Sequence, residues 1–193
     1  MRKNIMFTSL FGLALLGLLS CSGGGDKNSD PTPTPPSYAT SLNYTNPTGT
    51  GYRFVRGSDS TASKLILELL GPASDTGRGI SFGLTVDGAK ARFVKVASTD
   101  PEDAQHGTFE LGSAPQLFKA VTEGNTLRAS IAQKGRGNAK ALDGVLAKVA
   151  IQLQPNVAQG AIAFSATNDA KALPGANGES VPITIAVGSL VAQ

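Results

Sequence analysis

The chain has 193 residues, with 17 Lys and Arg side chains against 14 Asp and Glu, which gives a formal net charge of +3. At about 100–200 residues per domain this length allows one domain and an appendage, and a hydrophobic content of 40% excludes a wholly disordered chain. The single Cys excludes an intrachain disulfide framework and any multi-cysteine metal site, and the single His leaves little material for a histidine-based metal cluster.

Residues 1–20 have the pattern of a secretory signal peptide. Arg2 and Lys3 form a positively charged start, and an uncharged, leucine-rich stretch runs from Ile5 to Leu19. That stretch is shorter than the ~20 residues that a membrane-spanning helix needs. Its end, Leu-Leu-Ser followed by Cys21, resembles a bacterial lipobox, where the Cys thiol is diacylated and the signal is cut. We therefore predict lipidation at Cys21 and attachment to a lipid bilayer; a signal peptide or anchor with an incidental Cys is the alternative.

Residues 21–37 are predicted to be a disordered linker. The segment after the Cys reads SGGGDKNSDPTPTPPS and contains no large apolar residue, so it cannot bury enough apolar surface to fold. Its Gly and Ser residues favour flexibility and its prolines favour stiff, extended geometry, as in a stalk that holds a domain clear of a membrane. In lipoproteins of Gram-negative bacteria, a Ser at the position of Ser22 usually implies export to the outer membrane, which is the predicted location.

The charge of the exported chain argues against a nucleic-acid partner. Removing Arg2 and Lys3 from the 17 basic side chains leaves 15 against 14 acidic ones. Nucleic-acid binding depends on a sustained basic surface, and a nearly neutral chain gives it no support.

Residues 38–193 read as a series of short strands. Apolar side chains alternate with polar or small ones, the period of a half-buried strand, in five stretches: 80–86, 127–131, 145–153, 162–164 and 183–187. A denser run, Lys64 to Leu70, is compatible with a strand buried on both faces or with a short helix, and the Gly71-Pro72 that ends it favours the strand.

Turn residues between these stretches support the same interpretation. Glu123-Gly124-Asn125 predicts a tight hairpin, and Asp87-Gly88 ends another strand. Many short strands with regular turn signals predict an all-β sandwich or barrel of about eight to ten strands over 38–193.

Two strand patterns in this part resemble the cohesin family. Phe82-x-Leu84-x-x-Asp87, followed by Lys90-Ala-Arg-Phe-Val-Lys-Val96, is similar to the early strands of cohesin-like domains, and Asp143-Gly-Val-Leu-Ala-Lys-Val149 is similar to a later one. The resemblance covers roughly 64–187. It implies a jelly-roll β-sandwich related to carbohydrate-binding folds, and in cellulosomal members one sheet face binds a calcium-loaded dockerin.

Candidate chemistry is sparse. Thr99-Asp100-Pro101-Glu102-Asp103 has the residues of a helix start, so we expect a single short helical turn there. His106 and Glu110 follow these acidic residues, but the spacing matches no calcium loop, and a solvated turn is favoured over a metal or acid–base site. The segments 77–79 and 134–138, rich in Gly and basic residues, are predicted to be flexible connections rather than phosphate loops. We expect no catalytic residue, no metal, no cofactor and no enzyme activity.

Two kinds of binding function remain. The first is a protein-interaction module whose exposed sheet face docks a partner, possibly dockerin-like, at the cell envelope. The second is a carbohydrate-binding module that attaches the cell to polysaccharide. Sugar sites commonly use exposed aromatic platforms, and the chain has no Trp and three tyrosines, Tyr38, Tyr44 and Tyr52. An exposed pair of these tyrosines on one face would favour the second function.

Replacing the predicted acylation site tests the anchor. Cys21→Ala should release the protein from the membrane fraction or misplace it, because burial of several acyl chains holds the chain at the bilayer. Cell fractionation measures the location, and circular dichroism checks that residues 38–193 remain folded. Unchanged membrane attachment, or loss of the β-sheet signal, would contradict the predicted anchor, linker and domain.

Overall fold

The computed structural model describes residues 37–109, 118–133, 139–174 and 179–193. No helix is present in these ranges, and therefore none that is long and apolar enough to cross a membrane. The predicted signal peptide, Cys21, Ser22 and nearly all of the predicted linker lie outside the described residues, as do Glu110 and the segment 134–138.

The described residues form fifteen strands, and several contain only two to four residues. They are β1 (Leu42–Thr45), β2 (Arg53–Arg56), β3 (Lys64–Leu70), β4 (Thr76–Val86), β5 (Ala91–Val94), β6 (Ala104–His106), β7 (Phe118–Glu123), β8 (Thr126–Ala132), β9 (Lys140–Ala141), β10 (Ala147–Leu153), β11 (Gly160–Ile162), β12 (Phe164–Ala166), β13 (Lys171–Pro174), β14 (Val181–Pro182) and β15 (Ser189–Ala192).

These strands form three antiparallel sheets. The largest has the order β14-β13-β4-β8-β7, with β12 and β9 also pairing with β4. The second has the order β2-β3-β10-β5, with β6 beside β10. The third is short, β1-β15-β11. The all-β jelly-roll sandwich predicted from the sequence is confirmed.

The core lies between the two large sheets, and the period-two pattern of β4 explains how. Ile80, Phe82 and Leu84 are at most 4% exposed and belong to one continuous hydrophobic cluster with the inward residues of β3, β8 and β10. The ring of Phe82 meets that of Phe54, on the opposite sheet, edge to face with centroids 5.4 Å apart. Alternate large side chains on each strand therefore interdigitate across the sandwich.

The predicted hairpin is also confirmed. Glu123 pairs with Thr126, which leaves Gly124 and Asn125 as a two-residue loop between β7 and β8. Gly124 has φ of 60°, the left-handed conformation that a type II′ turn requires at its first central position. This turn fixes the register of the two strands.

Three local predictions are wrong. No helical turn forms at 99–103: the amide of Asp100 bonds to the carbonyl of Ala97 in a β-turn, and bends follow. Gly77, Arg78 and Gly79 are not a connection but part of β4, where the missing side chains let Leu142 and Leu173 approach. The stretch 183–187 forms only an isolated bridge, Arg53 to Ala186.

The strand count differs from the predicted eight to ten because short strands leave little alternation to detect. The stretch 162–164, predicted as part of one strand, divides at Ala163. Its first part, β11, pairs with β15, and its second, β12, pairs with β4 in another sheet.

The inward face of β4 can be tested by burying a charge in it. Leu84 is fully buried, so Leu84→Asp would place an unpaired carboxylate in the core and should cost about 3–5 kcal/mol or prevent folding. Thr85→Asp is the matched control, since this neighbouring side chain points away from the core. Urea denaturation gives both values, and equal stability of the two variants would show that the faces are assigned wrongly.

Candidate functional site

The outer face of the five-stranded sheet is closed. Ile66 and Ala150 point away from the core, yet they are only 3% and 0% exposed. The ammonium group of Lys64 donates to the carbonyl of Val96 (2.6 Å), and Lys148 pairs with Glu68 (2.9 Å). Polar side chains and the loop after β5 therefore occupy this side of the sandwich.

The outer face of the seven-stranded sheet is open, and we call the outward side chains of β13, β4, β8 and β7 the open face. One row of paired residues crosses it: Lys171 beside Ser81, Ser81 beside Ser130, and Ser130 beside Lys119. Two long basic side chains thus stand on either side of two small hydroxyl side chains. Neighbouring strands are about 4.8 Å apart, so the two lysine positions are separated by about 14 Å.

A second row extends the floor of small residues. Leu173 lies beside Gly79, and Gly79 lies beside Ala132. The two rows together line a cavity of about 490 Å³. Among the described residues, that lining contains Lys119 and Lys171 and no carboxylate. We call this cavity the trough.

The trough ends at a polar cluster on the third row. Arg128 forms an ion pair with Asp169, and the hydroxyl of Thr167 donates to the same carboxylate. These two hydrogen bonds, that of Thr167 first, hold the pKa of Asp169 below its usual value. The cluster ties the segment after β12 to β8 across β4, and we call it the latch.

The latch depends on the absence of a side chain at Gly83, which lies beneath it. The amide of Thr167 donates to the carbonyl of Gly83 (2.9 Å). A methyl group at Gly83 would lie 3.0 Å from Thr167 Cγ2 and closer still to its hydroxyl oxygen. A larger residue here would therefore push Thr167, and with it Asp169, off the sheet.

The acidic residues that the sequence singled out seal the edge of the sheet beside the open face. The carboxylate of Glu102 accepts the backbone amide of Ala120 (2.8 Å), and that of Asp103 accepts the amide of Thr122 (2.7 Å). The amide of Asp103 donates to the carbonyl of Ala120 (3.2 Å). Backbone groups of β7 that would pair with an added strand are thus already bonded.

The other residues of that acidic segment also have structural partners. Asp100 accepts from the amide of Ala97 (2.7 Å) and from Gln105, and the ring of His106 meets that of Phe118 edge to face, with centroids 5.7 Å apart. Among the described residues no three His, Cys, Asp or Glu side chains group as metal ligands would.

The tyrosines do not form an aromatic platform. Tyr38 is 47% exposed, but Tyr44 is 5% exposed, and its hydroxyl donates to the carbonyl of Phe54 (3.1 Å) and accepts from Gly188. Tyr52 is half-buried and packs against the core. The feature that would have favoured carbohydrate binding is therefore missing from these three residues.

The sequence contained one further signal at the open face. Gly79-Ile-Ser81-Phe-Gly83 matches the G-x-S-x-G pattern of serine hydrolases, in which the Ser stands on a sharp turn between a strand and a helix. Here all five residues lie inside β4, and Ser81 is part of the flat floor of the trough. The spacing serves the sheet, because it alternates small outward residues with large inward ones.

Comparison with known proteins shows the fold. No protein-family model and no curated protein matches the chain. Among solved structures, the sixth cohesin of scaffoldin B from Acetivibrio cellulolyticus, in complex with a mutant Cel5 dockerin, is 14% identical with a TM-score of 0.55, covering 74% of this chain and 97% of that one. A type II cohesin from the cellulosome of Acetivibrio cellulolyticus gives 14%, 0.55, 72% and 93%. Type II cohesin A11 from Bacteroides cellulosolvens gives 14%, 0.55, 72% and 97%. The chain has a cohesin-like fold, as the sequence resemblance predicted.

The latch gives a prediction about Gly83. Gly83→Ala should lower the free energy of unfolding by about 1–3 kcal/mol, because the new methyl group overlaps Thr167. Gly88→Ala is the matched control, since a methyl group there makes only an ordinary contact, 3.4 Å from Asn125 Cβ. Urea denaturation measures both variants. Equal stabilities would show that the latch moves aside without cost.

Proposed function

We propose that this chain is a membrane-anchored lipoprotein whose cohesin-like domain binds a dockerin-like protein module and catalyses no reaction. The anchor is Cys21, and the outer membrane is the proposed location. The observation that carries the binding function is the contrast between the two sheets: one outer face is closed by loops and ion pairs, and the other offers a trough floored by small residues.

The shape of the open face supports a folded partner. A floor made of Gly79, Ser81, Ser130 and Ala132 lets another backbone come close over a broad area, as protein interfaces require. Partners that add a strand to a sheet need unpaired backbone groups, and Glu102 and Asp103 occupy those groups at β7. Docking onto the face is therefore favoured over docking at this edge.

The comparison supports the class of partner. The sixth cohesin of scaffoldin B is described in complex with a dockerin, and another cohesin from the same organism is described in a complex with an X-dockerin pair. Because a shared fold does not fix a shared ligand, the open face itself has to be tested.

Titration calorimetry of the full chain in neutral detergent tests this function. The probes are the Cel5 dockerin and the X-dockerin pair, each with calcium and again with a chelator. We expect at least one to bind, and Ser130→Arg to weaken it by about tenfold or more, because a bulky charged side chain would stand in the middle of the floor. Ser58→Arg, on an exposed loop outside the open face, is the matched control.

The outcomes separate clearly. Loss of binding in Ser130→Arg alone would support docking on the open face. Equal weakening by both variants, or binding that neither variant changes, would move the partner elsewhere. No binding of either probe would contradict a dockerin-like partner.

A further inference from the structure

The walls of the trough are both basic, and this restricts what can lie between them. The side chain of Lys119 is 72% exposed; it pairs with Glu102 (3.2 Å), which lies outside the trough and also holds the amide of Ala120. Lys171, on the opposite wall, forms no ion pair with the described residues. The latch neutralises Arg128 at the end of the trough, so its two walls keep uncompensated or only partly compensated positive charge.

The width of the trough restricts the shape of its occupant. The wall positions are about 14 Å apart, three strand spacings, and the floor between them holds no side chain larger than Ser. An α-helix with its side chains is about 10–12 Å in diameter and would fill that space lengthwise along the strands. An extended strand, at about 4.8 Å, would leave most of the floor uncovered.

We infer that the open face takes an α-helix of the partner that presents small side chains to the floor and acidic side chains on both flanks, one toward Lys119 and one toward Lys171. This inference rests on the proposed function and adds the partner's chemistry to it. Small side chains are required because Ser81, Ser130 and Gly79 leave room only for a close backbone approach. Acidic flanks are required because a neutral or basic helix would leave the two ammonium groups unpaired or repelled on docking.

Labelled helical peptides test the charge pattern directly. One alanine-rich peptide carries Glu on both flanks of an alanine stripe, a second carries Gln at the same positions, and circular dichroism confirms equal helicity. Fluorescence anisotropy measures their binding to the full chain in neutral detergent at low ionic strength. We expect the Glu peptide to bind about three- to tenfold more tightly, the range expected for two exposed ion pairs. We also expect its advantage to disappear in about 1 M salt.

Variants locate the effect. Replacing both Lys119 and Lys171 with Gln should remove the preference for the Glu peptide, whereas Lys95→Gln, an exposed lysine outside the open face, should keep it. A Glu-rich peptide interrupted by prolines should bind more weakly than the helical one. Equal binding of Glu and Gln peptides, a preference that survives in the double variant, equal binding of the proline-interrupted peptide, or no binding at all would each overturn the acidic helix.

Failure of this inference is distinguishable from failure of the proposed function. A dockerin probe that binds and responds to Ser130→Arg, together with peptides that show no charge preference, would overturn the acidic helix and leave the docking face in place. Absence of dockerin binding together with a charge-dependent response to the helical peptides would support the acidic helix and remove the dockerin-like partner.

Discussion

The central constraint in this structure is the alternation of large and small side chains along β4. Its inward residues, among them Phe82 and Leu84, fill the middle of the core, and its outward positions hold only Gly79, Ser81, Gly83 and Thr85 between strands that pair on both sides. A methyl group at Gly79 would lie 2.7 Å from both the carbonyl oxygen of Ile131 and a methyl of Leu173. Small outward residues are therefore needed for Leu173 and the latch to fold over β4, and the same smallness makes the floor of the trough. Packing and the candidate site follow from one pattern.

The acidic loop before β6 completes the site by limiting how a partner can bind. An edge strand with free backbone groups invites pairing with any extended chain, which is a route to aggregation. Glu102 and Asp103 prevent this at β7 by accepting alternate backbone amides, and their carboxylates do so without adding a strand. What remains accessible on this side of the molecule is the face, where side chains rather than backbone groups determine which partner is accepted.

The sequence predicted the parts of the fold that local patterning controls. Strands of six or more residues, such as β4, β8 and β10, carry enough alternation to be recognised, and the Gly124 turn identifies its hairpin. Strands of two to four residues do not, and the division of 162–164 between two sheets depends on partners far away in the chain. The acidic segment was misjudged for a related reason. Its carboxylates satisfy backbone amides of β7 rather than those of a helix start, and only the tertiary structure brings that strand beside them.

The open face could not be found from the sequence because its residues meet only through strand pairing. Lys171 and Ser81 are neighbours on the sheet and far apart in the chain, and nothing local to either residue marks it. Such outward residues can change without disturbing the core, because the fold constrains their size more than their charge. That freedom is compatible with a cohesin-like fold at 14% identity, and it makes the outward charges the natural place for partner choice. The basic walls of the trough are therefore a property of this chain rather than of its fold, and they are where its specificity should be sought.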